Sequence, residues 1–146
     1  MNTLKFSITA LLFISLTACT KEDNLATTAN EIISQASKTL VTGTWSVADY
    51  NEKGNNQTQY FSNYKFTFSS NNTVKATNGT NTINGTWQTG TDDSKPKFIL
   101  NFSASNGPFE EISEDWKIIQ ITTSKIELNH ISGGNAGTSS LTFVEN

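Results

Sequence analysis

The chain has 146 residues, ten lysines, no arginine, thirteen acidic residues and a formal net charge of −3. An acidic chain without arginine has no electrostatic footprint for nucleic acid and lacks the side chain best suited to bidentate phosphate recognition, which argues against nucleic-acid binding. One cysteine and one histidine leave no cluster to hold zinc, and the length suits one globular domain.

The chain opens with Lys5 and the apolar run 6–15, then Leu16-Thr17-Ala18-Cys19. From Phe6 to Ala18 the run is shorter than the roughly 20 apolar residues a transmembrane helix needs, and it carries Ser7, Thr9, Ser15 and Thr17. Residues 1–18 therefore read as a signal peptide. Small residues before a lone cysteine look like a bacterial lipobox. That resemblance implies that Cys19 becomes the acylated first residue of the mature protein, held in the outer membrane by two or three acyl chains. Each buried CH₂ contributes ~0.8 kcal/mol, so such an anchor is effectively permanent. The alternative is a general secretory signal with another cleavage site, which would leave Cys19 as an unpaired thiol. With Cys19 lipidated, the fold holds no internal disulfide and rests on core packing. Residues 19–28 read as a lipidated tether. Within it, Lys21-Glu22-Asp23 is either a solvated linker or, by resemblance to the Lys-acidic-acidic export tag of Gram-negative lipoproteins, a signal for the cell surface.

Thr28-Ala29-Asn30-Glu31 matches a capping box. Leu25, Ala29, Ile32, Ile33, Ala36 and Leu40 form one apolar stripe, which predicts a helix over Ala29–Leu40. From Gly43 the pattern becomes β, with Val, Ile, Phe, Tyr and Trp alternating with polar residues between Asn/Gly/Ser clusters. Strands are predicted over 44–50, 60–69, 73–78, 82–89, 97–103, 116–122, 125–131 and 139–144. Tyr60, Tyr64, Phe66 and Phe68 share one face of the second strand. Gly90 to Pro96 reads as a polar loop. Eight strands with short links predict an all-β domain, an antiparallel up-and-down meander closing as a barrel after one short N-terminal helix. A two-sheet sandwich fits the same pattern.

Gly43-Thr44-Trp45, opening the first strand after a helix, resembles the Gly-x-Trp signature of lipocalins. Together with Gly85-Thr86-Trp87, Leu141-Thr142-Phe143, Glu114-Asp115-Trp116, Lys125-Ile126-Glu127-Leu128 and Ser132-Gly133-Gly134-Asn135, it makes residues 40–146 resemble a lipocalin-like domain of a Gram-negative lipoprotein family. The resemblance implies a helix plus lipocalin-like barrel over 29–146. It departs in one respect: typical lipocalins lay an arginine from the last strand across the first-strand tryptophan, and Val144-Glu145-Asn146 offers no cation.

Trp45, Tyr64, Phe66, Trp87, Phe98 and Trp116 are the candidate wall of a cavity for a small apolar or amphipathic ligand, and core packing accounts for them equally well. An eight-stranded barrel is just wide enough to fill with side chains or to hold one small ligand. His130 shares a face with Ile126 and Leu128 and has no partner that the sequence identifies. Glu110, Glu111, Glu114 and Asp115 form an acidic cluster that reads as a solvated loop rather than a paired-carboxylate site. Asp92-Asp93 before Ser94-Lys95-Pro96 reads as turn chemistry. The loop 132–138 is glycine-rich but joins two strands without the lysine of a phosphate loop. No Gly-x-Ser-x-Gly elbow occurs. The expectation is a non-enzymatic, cofactor-free, metal-free lipoprotein that binds a small hydrophobic ligand. The competing class is a structural or protein-interaction module with a filled barrel.

Overall fold

The computed structural model describes residues 21–131 and 137–146. Residues 1–20, which hold the expected signal peptide and the expected lipidation site Cys19, and residues 132–136 of the glycine-rich loop lie outside them. Helix α1 spans Lys21–Leu40. It begins eight residues earlier than the capping box predicts, so residues 21–28 of the expected tether are helical and Thr28 is interior to the helix. The polar segment contains neither glycine nor proline.

The strands follow as β1 (Thr44–Glu52), β2 (Asn55–Asn56), β3 (Lys65–Phe68), β4 (Thr73–Thr77), β5 (Thr82–Asp92), β6 (Lys95–Phe102), β7 (Asp115–Ile121), β8 (Lys125–Ile131) and β9 (Thr138–Glu145). β2 is a short return on the end of β1, pairing Asn51 with Asn56. The other eight pair antiparallel with their neighbours, and β1 pairs with β9 from Trp45↔Glu145 to Asn51↔Ser140. The meander is therefore a closed eight-stranded barrel and not a sandwich.

Three stretches differ from expectation. The predicted second strand is interrupted: Thr58–Phe61 is a 3-10 turn and β3 starts only at Lys65, leaving Tyr60 off the aromatic face and 54% exposed. Here the Thr58 hydroxyl accepts from Tyr50 N–H and Asn56 Oδ1 accepts from Thr58 N–H, local bonds that compete with a ladder. The predicted loop from Gly90 to Pro96 is instead a hairpin paired to Asp92↔Lys95. Its turn residues Asp93 and Ser94 have φ of 47° and 61°, the left-handed pair of a type I′ turn. A short helix α2 (Pro108–Glu111), which no periodicity announced, precedes β7.

Two β-bulges keep the barrel's inner face apolar. Strict alternation from Trp45 and Val47 would send Asp49 inward. A register shift between Val47 and Asp49 turns Tyr50 inward instead, where it is fully buried. In β7 alternation from Trp116 and Ile118 would send Gln120 inward, and a shift between Ile118 and Gln120 turns it outward and brings Ile121 against the core.

Both ends of the barrel are covered. Helix α1 packs on β5, β6 and β7, with Ser37 Oγ 2.7 Å from Thr89 Oγ1. The indole N–H of Trp45 donates to the carbonyl of Leu40, the last residue of α1, at 3.0 Å. At the opposite end, Trp116 Nε1 donates to Ile112 O, just beyond α2, also at 3.0 Å. Each of these carbonyls is a helix-end acceptor that a tryptophan satisfies. Among the described residues no helix is long and apolar enough to cross a membrane.

Candidate functional site: a packed interior and an outer cleft

Five of the six candidate wall residues, Trp45, Phe66, Trp87, Phe98 and Trp116, are buried in the core, and Tyr64 is half-buried beside it. They pack on one another and on their neighbours. Phe66 meets Phe143 at a centroid distance of 5.2 Å, Phe68 meets Trp87 at 5.8 Å, Trp87 meets Phe98 at 6.1 Å and Tyr64 meets Phe109 at 4.9 Å. Trp45, Tyr50, Phe66, Trp116 and Phe143 are fully buried. The structure thus packs five of the six candidate aromatics into the core, with Tyr64 at its margin. The sequence reading missed Phe109 and Ile112 around α2. Phe109 sits 5.3 Å from Phe61 and 5.0 Å from Phe102, at the end where a ligand would enter.

Polar groups gather at that same end, and the acidic cluster divides among three tasks. Asp115 faces outward and accepts two bonds from Lys97 Nζ, at 3.0 and 3.2 Å. Glu114 Oε2 lies 3.8 Å from His130 Nε2, and the His130 ring stands edge-on to Trp116 at 5.9 Å. Glu111 turns one carboxylate oxygen, Oε2, into the protein, where it has no hydrogen-bond partner. Burial, then the charges of Glu52 and Glu110, push the Glu111 carboxyl above its ordinary range, against a smaller opposing effect of Lys53. The Tyr50 hydroxyl is also buried without a partner, and burial followed by Glu52 and Glu111 raises its pKa strongly.

His130 is thus beside the acidic cluster, and Ser139, buried in β9, is its cross-strand neighbour. No hydrogen bond joins Ser139 to His130 among the described contacts. His130 Nε2 and Glu114 Oε2, 3.8 Å apart, lie beyond hydrogen-bond distance.

A different feature lies on the outer wall. Asp92, Lys95 and Lys97 on one side and Asp115, Lys117, Ile119, Asn129, His130 and Ile131 on the other line a cleft of about 250 Å³. The β6–β7 ladder has only three register pairs and ends at Lys97↔Lys117. The next residue of β6 is Pro96, which has no N–H to donate. Sequence reasoning took Lys95 for part of a loop and left Lys97 and Lys117 unremarked. Their even spacing along adjoining strands was the available signal.

No protein-family model matches the chain, and no curated protein matches it. Among solved structures, the chain is similar to a DUF4847 family protein from Bacteroides vulgatus, with a TM-score of 0.53 and 18% identity over 76% of this chain and 97% of that one. At that identity the likeness establishes the barrel fold alone.

Proposed function

We propose that the chain is a lipid-anchored cell-envelope protein whose barrel is a solid, non-catalytic scaffold that works through its outer surface. The observation that carries the scaffold reading is the packed interior: the aromatics that would form a carrier's wall are buried against one another, and α1 and α2 cover the two ends. A lipocalin-like carrier would need an open mouth leading to a ligand-sized cavity, commonly ~300–1,000 Å³. Phe109 and Trp116 occupy that place here.

The anchor rests on Leu16-Thr17-Ala18-Cys19 and the absence of any other cysteine with which Cys19 could pair. Outer-membrane residence, and display on the cell surface through Lys21-Glu22-Asp23, belong to the same reading. Fractionation of cells expressing Cys19→Ala tests the anchor. The expected outcome is loss of the mature membrane-bound form, with release of soluble protein or accumulation of uncleaved precursor. Normal processing together with unchanged membrane retention would overturn it.

A further inference from the structure

The cleft over β6, β7 and β8 combines three features that the barrel itself does not require. First, it gathers three of the ten lysines in an acidic chain, Lys95, Lys97 and Lys117. Lys97 is neutralised, with Asp115 at 3.0 Å and Asp92 at 3.8 Å. Neither Lys95 nor Lys117 has an ion-pair partner among the described residues. Second, Lys97 and Lys117 are direct register partners, and like charges opposite one another weaken a sheet. Third, Ile119 and Ile131, two of the four exposed large hydrophobic residues described, line the cleft beside Lys117. Ile131 is 73% exposed and Ile119 49% exposed. Departures from local folding rules that gain nothing for stability are expected where a surface serves function.

Resting on the reading of the barrel as a surface scaffold, we propose that this cleft docks an extended segment of a partner protein in which carboxylates and apolar side chains take turns at every second residue, so that both lie on the one face turned to the cleft. Its carboxylates would meet Lys117 and Lys95, and its apolar side chains would lie on Ile119 and Ile131. Charge complementarity selects an acidic segment over a basic one. Shape selects a peptide over a lipid-like acid, because a shallow cleft of about 250 Å³ on a barrel with a packed core has nowhere to enclose an alkyl tail.

The test uses the full-length protein with labelled isoleucine methyl groups, titrated with the blocked peptide Glu-Ser-Leu-Ser-Glu-Ser-Leu, which when extended carries both glutamates and both leucines on one face. Saturable shifts at Ile119 and Ile131 are expected. Binding should weaken by about tenfold or more in Lys117→Glu and fall with added salt. This substitution places an acid opposite Lys97, so the fold is kept, and an unfolding midpoint no lower than the parent's confirms it. The same peptide with lysine in place of glutamate should leave both methyls unmoved. Silent methyls, equal binding of the lysine peptide, or equivalent shifts from decanoate alone would each overturn the proposal. A peptide bound elsewhere on the surface would sink the cleft but spare the scaffold reading. Displacement of interior methyls by decanoate would sink the scaffold reading itself.

Discussion

Gly43 and Gly85, the glycines of the two Gly-Thr-Trp triplets, differ in what lies against them. A Cβ on Gly43 would meet the Glu145 carboxylate, the movable end of an exposed side chain. One on Gly85 would meet the backbone oxygen of Asn101 and Phe102 across the β5–β6 pair, with no flexible side chain to give way. Each triplet then ends in a tryptophan whose indole N–H bonds a backbone carbonyl, Leu40 O for Trp45 and Ser69 O for Trp87, both at 3.0 Å. Both triplets thus end in an inward anchor, and the second opens on a residue of close backbone approach. Gly85→Ala is expected to destabilise by about 1–3 kcal/mol through overpacking. Gly90→Ala, where nothing lies within 4 Å, is expected to be near neutral. Chemical denaturation of the two variants side by side checks the contrast.

The elements were legible in the sequence where one periodicity ran unbroken. β4, β8 and β9 show inward Val74 and Ala76, Ile126 and Leu128, Leu141 and Phe143, as alternation predicts. Legibility failed where a local bond or a long-range contact overrode the pattern. The hydroxyl of Thr58 and the amide of Asn56 turned an expected strand into a 3-10 turn. Polar Thr91 and Asp92 were read as loop although their ladder partners, Pro96 and Lys95, extend the hairpin. Helix α2 was invisible because a four-residue helix has no period to detect, yet it bears the Phe109 that plugs the barrel end. The candidate site was legible in part: the aromatics were identified as inward-facing, but whether they enclose a space depends on α2.

α2 also carries a pH-dependent strain. The folded protein holds the Glu111 proton more tightly than the unfolded chain does, because burial and neighbouring acids raise its pKa above the ordinary 4.5. Stability from this group is therefore greatest below the ordinary value and falls as pH rises through the folded one. Glu111→Gln removes that loss. Its thermal midpoint should match the parent in acid and exceed it increasingly toward neutral pH. A difference that stays constant with pH would contradict the assignment.

At the scale of the whole molecule, ring closure by β1 and β9 removes the sheet edges, two helices cover the ends and a continuous aromatic core fills the space between. The proposed scaffold works through its outside, and unpaired lysines and exposed isoleucines come together on the β6–β8 wall. Native mass spectrometry of the protein taken from its own membrane tests the central claim most directly. The account predicts one species, the chain from Cys19 onward plus its covalent acyl groups, with no small molecule released on collisional activation. A stoichiometric, non-covalently held ligand would contradict it and return the barrel to the class of carriers.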